Sequence, residues 1–455
     1  VCNAALGSIT SAMPRRFRSA EVEMYVGGDT FNNTNFYSGG AHIANGVYAA
    51  PSLPIEDDDF ALRRSLWLGT DAAYKDALRT LSRKSAAIEN RKRSSALPDF
   101  TSAPLCTVIV DSVLPALAIE AAKNLAREVS AQFLKYPEVM QSSVLVYQQN
   151  LKIYYVNSEG TRFVRTEPSV TLQIIAWSQR EDGIPVEDFR RYSGPTLQSL
   201  GDAKEFIQAA DSVGAAVTAL CTAPMAQRYV GPVLFEGDAA VELFNRFMAP
   251  MFCSPRIPLC ENPGHQTFFP PRLFTDKLGG TVLPPNVSVI DDPLLSTTPG
   301  TALIGGYPID DEGVAAKKTV LVEKGVLKSL LTTRVPVPGS FLSTGNRRGR
   351  LPMPTNLVVS AQKGLSPRAL KRELMKTVRK NELPYGIIIR RIGPPTVAQF
   401  AVNRTQLRSG TDAGSVVKNC TAVYRVYPDG REELVRNAEI TGISAETFPY
   451  IRAFS

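Results

Sequence analysis

The sequence YPIDDEG at residues 307–313 sets three carboxylates in a row and ends them with a glycine. A hairpin signal follows, in which residues 319–322 and 326–328 form two apolar runs around a Glu-Lys-Gly turn. Glycine supplies the positive φ that such tight turns need. Polar loops then occupy residues 343–348 and 352–356. Because loops held by a rigid sheet commonly carry function, this stretch predicts a β-rich region with a polar site.

Before this stretch, the sequence alternates long helices with short strands. Five large apolar residues recur every seven positions, which predicts an amphipathic helix that packs through this stripe: Phe60, Trp67, Tyr74, Leu81 and Ile88. Further helices are predicted over residues 114–134 and 203–220. Between them, short connections predict an antiparallel meander of four strands, at residues 144–147, 151–156, 162–165 and 170–177.

After about residue 225 the pattern is mostly strands and turns. One helix interrupts it at residues 368–380, where Ser366 and Pro367 form a typical start signal. We therefore predict an α+β fold with an N-terminal domain at residues 1–224 and a C-terminal β-rich domain at residues 225–455. Long helices should pack on the antiparallel sheet of the first domain, and neither domain should contain a continuous parallel sheet.

Composition is that of an ordinary globular chain, with 455 residues, 44% hydrophobic and 21% charged. No apolar run approaches the roughly 18 residues of a membrane helix. The net charge is +8. Its basic clusters mostly lie on predicted helices, so solvated helix faces are a better interpretation than nucleic-acid binding.

The six cysteines include no Cys-x-x-Cys pair, which excludes a zinc ribbon. Cys253 and Cys260 enclose a short loop and could form a disulfide or remain buried thiols. The sequence begins at Val1 without methionine. With the even number of cysteines, this favours an exported, periplasmic bacterial protein over a cytoplasmic one.

Four segments occur in an order that resembles the TldD/PmbA family, formerly called modulators of DNA gyrase. They are Val-Ile-Asp-Asp-Pro at 289–293, Ile-Asp-Asp-Glu-Gly at 309–313, Ser-Thr-Gly-Asn-Arg-Arg at 343–348 and Pro-Thr-Asn at 354–356. The resemblance runs from about Gly231 to about Gly393. It implies a two-subunit zinc metalloprotease that acts on unfolded peptides.

Catalytic members of that family carry His-Glu-x-x-x-His on a helix, with two zinc-binding histidines and a general base. Here the three positions correspond to Glu236, Gly237 and Val241, and the segment contains no histidine. The family also draws a cysteine ligand from a glycine-rich segment, a context that Cys420 lacks. The resemblance therefore implies a PmbA/TldE-like member without metal or catalytic residues of its own.

The remaining polar constellation is Asp310, Asp311, Glu312 and Gly313, with Asn346 and Arg347 nearby in the predicted fold. Paired carboxylates could do acid/base chemistry. The alternative is a loop that closes on backbone amides or on Arg347 and Arg348. We expect these residues to lie together beside a peptide or partner cleft.

Two functions follow from the resemblance. In the first, the chain is a non-catalytic subunit that pairs with a homologous TldD-type chain carrying the zinc, and the two enclose an extended peptide. In the second, it is a homodimeric peptide-binding protein without hydrolytic activity. A hydrolase that uses carboxylates alone is a third, weaker hypothesis.

Overall fold

The computed structural model describes residues 1–39, 47–89, 97–110, 113–269, 273–393 and 416–455. The α-helices of these ranges are α1 (Asp59–Glu89), α2 (Ile119–Ser130), α3 (Ala203–Thr222), α4 (Asp238–Phe247) and α5 (Pro367–Lys380). The strands up to residue 224 are β1 (Cys2–Ala5), β2 (Ser8–Ala12), β3 (Val22–Met24), β4 (Phe36–Tyr37), β5 (Val47–Ala49), β6 (Thr107–Ile109), β7 (Gln141–Val156), β8 (Arg162–Gln179) and β9 (Pro185–Gly194).

The strands after residue 224 are shorter. They are β10 (Val233–Phe235), β11 (Leu259–Cys260), β12 (Val287–Asp291), β13 (Thr297–Thr298), β14 (Thr301–Ala302), β15 (Thr319–Glu323), β16 (Val326–Leu327), β17 (Arg347–Arg348), β18 (Leu351–Pro352), β19 (Leu357–Ala361), β20 (Gly386–Ile392), β21 (Val416–Val426), β22 (Glu432–Val435) and β23 (Ala438–Thr441).

The first half contains a six-stranded sheet with the order β2-β1-β7-β8-β6, and β9 also pairs with β8. Its centre is one long hairpin, in which β7 and β8 pair without interruption from Gln141 opposite Trp177 to Val156 opposite Arg162. The turns predicted near residues 148–150 and 167–168 are therefore wrong. Pro168 fits inside β8 because β6 pairs only with residues 162–164 and β9 only with residues 170–179. Between residues 164 and 170, neither β6 nor β9 lies beside β8. The missing N–H of Pro168 therefore breaks no hydrogen bond to a strand on that side.

Two helices cover this sheet. Small and apolar residues of α2, including Ala126 and Val129, pack with Val213 and Val217 of α3 in one buried core. The helix α3 begins at the predicted position, where the Asp202 side chain accepts a hydrogen bond from the Lys204 amide at 3.3 Å. This is the usual role of an aspartate at a helix start. The prediction of helices over an antiparallel sheet is confirmed.

The long helix α1 packs elsewhere and by another face. It lies on the two-stranded sheet of β3 and β5, and its buried residues are Gly69, Ala73, Ala77 and Lys84. The first part of the stripe predicted to pack is instead solvent-facing, with Phe60 77% and Trp67 67% exposed, whereas Leu81 and Ile88 are half-buried. Small residues let the helix approach this two-stranded sheet closely, a preference that the hydrophobic pattern does not reveal.

The second half is β-rich, as predicted. One sheet has the order β10-β20-β21-β22 with β23 on β21, and another has the order β16-β15-β12-β19. The predicted turn between β15 and β16 uses Lys324 and Gly325, both with positive φ. Parallel pairing is confined to β4 with β11, β6 with β8, and β10 with β20 among the described strands. The fold is thus α+β, without a continuous parallel sheet in the described ranges.

Two separate cores account for most buried apolar residues. One draws on residues 2–220, and the other on residues 239–448. The division at residue 225 is compatible with this pattern but stays a prediction. No helix in the described ranges has the length and apolar character that crossing a membrane requires.

Cys253 and Cys260 are buried free thiols in this structure. They belong to different local pairings, since Cys253 forms a bridge with Leu331 whereas Cys260 pairs with Tyr37. The thiol of Cys253 donates to the Ala249 carbonyl at 3.7 Å. Of the two alternatives left by the sequence, the structure has the buried thiols.

Candidate functional site

The carboxylate loop, residues 310–313, is a tight turn organised by Asp310. One Asp310 oxygen accepts the amide hydrogens of Glu312 at 3.0 Å and Val314 at 2.9 Å, and the other accepts that of Arg347 at 3.1 Å. A short side chain that bonds the backbone two residues ahead is a known way to stabilise a turn. Asp310 thus closes the loop on backbone amides, the second of the predicted alternatives.

Glu312 points into the interior. One of its oxygens accepts from the Arg334 amide at 2.6 Å and the Ser343 hydroxyl at 3.3 Å, and the other from Arg347 Nη1 at 3.2 Å. Arg347 also forms an ion pair with Glu23, near the beginning of the chain. The Arg347 guanidinium therefore joins the carboxylate loop to the β3 strand.

Asp311 faces the opposite way, towards two arginines. It forms an ion pair with Arg165, lies 3.5 Å from Arg348 Nη1 and accepts the Gly349 amide hydrogen at 2.5 Å. Both arginines also bind Glu167, with Arg348 donating two bonds at 2.8 and 2.9 Å. This second network ties the carboxylate loop to strand β8.

Gly313 is required by the shape of the loop. Its φ of +82° lies in the left-handed region, which side chains other than glycine rarely adopt. A Cβ at this position would stand 2.7 Å from Thr161 Cγ2 and 3.1 Å from Tyr155 Cε1. The glycine therefore allows the loop to press against the end of the β7–β8 hairpin.

Neighbouring carboxyls of the loop have opposite pKa shifts. Burial raises the pKa of Asp310 to about 6 and that of Glu312 to about 7, against the opposing effect of Arg347 and of backbone amides. Burial also disfavours the charge of Asp311, but Arg348 and Arg165 outweigh it and hold the pKa of Asp311 below its ordinary value. Burial and charge partners thus separate three adjacent acids.

A third network joins the other family segments. One Asp291 oxygen accepts the Thr355 amide hydrogen at 2.7 Å, and the other accepts the Thr355 hydroxyl at 2.9 Å and Asn346 Nδ2 at 2.6 Å. Asp291 and Asn346 are completely buried. Burial raises the pKa of Asp291. The segments around residues 291, 346 and 355 are therefore held together by direct hydrogen bonds.

The structure brings all six predicted cleft residues together, but mostly in the interior. The residues Asp310, Glu312, Asn346 and Arg347 are each no more than 4% exposed. Their polar atoms are largely committed to the three networks described above. A role of this loop in holding a peptide or partner stays a prediction, and Asp311 is the carboxylate best exposed for it.

Sequence reasoning missed the arginines and acids that complete the networks. Arg165 follows Phe163 by two residues on β8, so both side chains share one sheet face. Phe163 is buried, and the Arg165 guanidinium lies 5.1 Å from the centre of its ring. Alternation along the predicted strand was the available signal. No sequence signal indicated that Arg334 would pair with Glu159, because 175 residues separate them.

The positions that correspond to the zinc motif lie at the junction of β10 and α4. Glu236 accepts a hydrogen bond from Arg390 Nε at 2.9 Å, and Arg390 also contacts Glu432 at 3.0 Å. Gly237 precedes the helix with a φ of +53°, and Val241 is 70% exposed. A guanidinium holds the one carboxylate and valine has no donor atom, so these residues do not fit a zinc ion.

Other potential ligands lie apart from this junction. Cys420 is buried in β21, and burial raises the pKa of its thiol to about 12, which disfavours the thiolate that metals require. His265 stacks on Phe268 and has an edge contact with Tyr37. Within the described ranges, no three His, Cys, Asp or Glu residues are arranged to hold a metal ion. His42 lies outside those ranges.

Comparison with known proteins finds a family match in the second half of the chain. Residues 227–406 match the family described as PmbA/TldA metallopeptidase C-terminal domain. Metalloprotease MJ0996 of Methanocaldococcus jannaschii is 48% identical over 62 residues, which are 14% of this chain and 13% of that protein. A metalloprotease of Archaeoglobus fulgidus is 47% identical over 74 residues, 16% of either chain. The matches thus span less than a fifth of these relatives.

Solved structures share the fold over nearly the whole chain. A putative modulator of DNA gyrase from Thermotoga maritima has a TM-score of 0.61 at 16% identity, covering 99% of this chain and 87% of that one. TldE from Thermococcus kodakarensis has a TM-score of 0.57 at 14% identity, covering 98% and 86%. The second half of this chain is therefore similar to the PmbA/TldA metallopeptidase C-terminal domain, and the chain shares its fold with these solved structures over nearly its whole length.

Proposed function

We propose that this chain is a non-catalytic, TldE/PmbA-like subunit of a TldD/TldE-type metalloprotease complex. The observation that carries the proposal is the junction of β10 and α4, where Glu236 is paired with Arg390 and Val241 replaces a ligand. A zinc peptidase needs about three protein ligands and an open position for water. A homologous partner would supply the zinc, its ligands and the general base.

Arg390 also opposes metal binding at this junction, in addition to the absence of the two histidines. Arg390 places a positive charge against the only carboxylate of the motif and is itself held by Glu432 and by the ring of Tyr424, 4.6 Å away. A cation at Glu236 would have to displace this guanidinium. Substituting a single ligand would therefore not restore the site.

The substrate side of the proposal rests on a sheet edge. Strand β19 is the last strand of its sheet and pairs only with β12 among the described strands. It directly follows the Pro-Thr-Asn segment at 354–356. An extended peptide can add to such an edge through main-chain hydrogen bonds, which suits an unfolded substrate of varied sequence.

The test uses the purified chain alone and together with a homologous chain that carries His-Glu-x-x-x-His. Metal analysis of the chain alone should find no stoichiometric zinc, and an unfolded peptide should remain uncleaved. Cleavage should appear on mixing and increase with the amount of the zinc-bearing chain, since the metal and base both reside there.

The matched control is the same mixture with the motif glutamate of the homologue replaced by alanine, which should be inactive. One equivalent of tightly bound zinc in this chain would contradict the proposal. So would chelator-sensitive cleavage by this chain alone. Peptide binding by the chain alone, measured by fluorescence anisotropy without cleavage, would support a substrate-holding role.

A further inference from the structure

The outer face of α5 carries a row of basic side chains. The helix contains six basic residues and one acid, which give it a net charge of +5. At about 100° per residue, five of the basic residues fall on one third of the helix surface. All five are exposed: Arg368, Arg372, Lys376, Arg379 and Lys380. We call these five residues the α5 basic row.

The opposite face of α5 fixes the direction of the row. Leu374 packs in one buried cluster with Ile388 of β20 and Val426 of β21. Val378 is also buried, and it lies so close to Gly386 that an added Cβ there would stand 2.9 Å from Val378 Cγ2. Because the apolar side of the helix is held against this sheet, the α5 basic row faces outward without any rearrangement.

Most of the row has no partner within the described part of the chain. Glu373, the one acid of the helix, lies 3.8 Å from Lys376, and both side chains are exposed. In the same ranges, Arg368, Arg372 and Lys380 have neither an ion pair nor a side-chain hydrogen bond. The start of the row therefore presents two guanidinium groups to solvent.

Acids of the neighbouring strand β22 are already bound. Glu432 binds Lys371, the sixth basic residue of α5, at 2.6 Å and Arg390 at 3.0 Å. Glu433 binds Arg425 at 3.2 Å. Two exposed acids stand in the turns beside the end of the helix: Glu382 and Asp429. The excess of positive charge is therefore greatest along the first turns of α5.

The row is unfavourable for the helix that carries it. Basic residues four apart repel each other on a helix surface, and positions 368, 372, 376 and 380 repeat this spacing. Arg368 also stands near the helix start, where the helix dipole disfavours positive charge. Only Arg379 and Lys380, in the last turn, suit the dipole. Helix stability does not account for this arrangement, whereas an anionic partner would relieve the repulsion.

We infer that the α5 basic row binds an acidic segment of an unfolded polypeptide in extended conformation. Residues four apart on a helix are about 6 Å apart along its axis. Alternate residues of an extended chain are about 6.6 Å apart and point to the same side. Carboxylates at every second peptide position therefore meet successive members of the row. Guanidinium groups hold such carboxylates through paired hydrogen bonds.

Other anionic partners fit the row less well. A helix that binds a membrane surface inserts its apolar face, and in α5 this face is buried against β20 and β21. Single-stranded nucleic acids are held by aromatic rings on which bases stack. Tyr427, next to the Pro428 carbonyl that Arg379 contacts at 3.5 Å, already packs with Tyr385 and with the Arg431 guanidinium. The row itself offers charge without a stacking surface.

The inference rests on the proposed function for its occupant, an unfolded peptide, and names the class of that peptide as acidic. Strand β19, the proposed place of peptide addition, ends at Ala361, and α5 begins at Pro367. The chain between these two residues spans at most about 20 Å. It contains a further exposed cation, Lys363. A peptide that adds to β19 can therefore continue onto the α5 basic row.

The first experiment measures the binding of fluorescently labelled, unstructured peptides to the purified full chain by anisotropy, without any homologue. The acidic probe carries glutamate at alternate positions, and its matched counterpart carries glutamine there. The acidic probe should bind at least about tenfold more tightly. Its affinity should fall as the salt concentration rises, because salt screens contacts between exposed charges.

A triple variant tests the row itself. Replacing Arg368, Arg372 and Lys376 by glutamine should weaken binding of the acidic probe at least about tenfold. The control variant replaces three exposed cations of α1 and α3: Arg63→Gln, Arg64→Gln and Lys204→Gln. It has the same net charge and should bind within about twofold of wild type. Equal weakening by both variants would show that only overall charge matters. Thermal unfolding verifies that both variants are folded.

A further probe tests the extended conformation. It has the composition of the acidic probe, but its glutamates stand at every third position and so alternate between the two sides of an extended chain. This probe should bind at least about threefold more weakly than the acidic probe. Equal affinities would overturn the match between the row and an extended peptide.

Two other ligands test the class of partner. They are a single-stranded oligonucleotide with the same charge as the acidic probe and vesicles that contain phosphatidylserine. Neither should bind as tightly as the acidic probe. Tighter binding of either one, lost in the triple variant, would assign the row to that partner and overturn the inference.

The inference and the proposed function can fail separately. An acidic probe that does not bind, or whose binding the triple variant leaves intact, overturns the inference, while zinc content and cleavage by the mixture still test the proposed function. One equivalent of zinc in this chain would overturn the proposed function and leave the anisotropy comparison unchanged.

Discussion

The buried lysine of α1 allows a quantitative test of how this helix is fixed. Lys84 and Asp99 are each no more than 2% exposed, and Lys84 also donates to two main-chain carbonyls. Lys84→Met keeps the apolar stem but removes the charge, while Arg256 remains as a charged neighbour 3.7 Å from Asp99. Removing one member of a buried ion pair costs about 3–5 kcal/mol.

The loss of bonds to the carbonyls of Asn32 and Thr34 supports the upper part of this range, since unpaired buried groups cost about 1–3 kcal/mol. Arg256, which remains beside Asp99 in the variant, should reduce this cost. We therefore expect Lys84→Met to lower the free energy of unfolding by about 3–5 kcal/mol. Urea denaturation followed by far-UV circular dichroism measures this value.

The matched control is Lys75→Met, the same substitution on the same helix. Lys75 is 66% exposed and forms only an (i, i+4) pair with Asp71 at 2.7 Å. Such a pair contributes about 0.3–0.5 kcal/mol, so the control should be almost neutral. A cost below about 1 kcal/mol for Lys84→Met would refute the reasoning. A double-mutant cycle with Asp99→Asn should show that the two residues are strongly coupled.

Three further predictions concern the carboxylate loop. The pKa of Asp311 is lowered in the folded protein, so its charged form stabilises the fold at pH values above its ordinary pKa. This contribution is lost as the pH falls through the lower pKa of the folded state. The stability difference between wild type and Asp311→Asn should therefore shrink below about pH 4 in acid denaturation. Glu312 has a raised pKa of about 7, so its contribution is full below about pH 4.5 and lost as the pH rises through about 7; the advantage of wild type over Glu312→Gln should be larger at pH 5 than at pH 8, and an equal or opposite change would contradict the assigned burial. Gly313→Ala should cost more stability than Gly349→Ala, because both have positive φ but only at Gly313 does a Cβ meet another residue within 4 Å, and thermal unfolding of the two variants would decide this.

Substitution of Asp311, one of the residues predicted to lie beside a peptide or partner cleft, tests whether this loop acts in binding or in folding. The structure argues for an effect on folding, because Asp311 neutralises Arg165, whose side chain is only 2% exposed. Glu167 keeps a bond to Arg165 at 2.9 Å and would limit the loss. Removal of a buried polar partner commonly costs about 1–3 kcal/mol.

The sequence determined those helix starts and turns that depend only on a few neighbouring residues. The start of α5 follows from Ser366 and Pro367, and the Ser366 hydroxyl does accept the Ala369 amide hydrogen at 3.3 Å. The β15–β16 turn follows from Lys-Gly at residues 324 and 325. The resemblance to the TldD/PmbA family and the absence of histidines at Glu236 and Val241 are also visible in the sequence, since a motif needs only the order and types of residues.

Local sequence patterns did not predict which residues pack between segments that are distant in the chain. The stripe from Phe60 to Ile88 has the spacing of a packing face, yet α1 buries Gly69, Ala73 and Ala77. Hydrophobic periodicity measures how apolar residues are arranged and not which neighbour is available. Small side chains allow α1 to pack closely on the two-stranded sheet of β3 and β5, and the position of that sheet is set by other parts of the chain.

The carboxylate loop shows the same limit for charge. The sequence presents Asp310, Asp311 and Glu312 as one acidic run. The fold directs Asp310 to backbone amides, Asp311 to Arg165 and Arg348, and Glu312 to the Arg347 guanidinium and the Arg334 main-chain amide. Electrostatic energy depends on distance and burial, and neither is fixed by position along the chain. Residue types and turns were therefore determined by the sequence itself. Only the tertiary structure decided that three adjacent acids would have different partners and opposite pKa shifts.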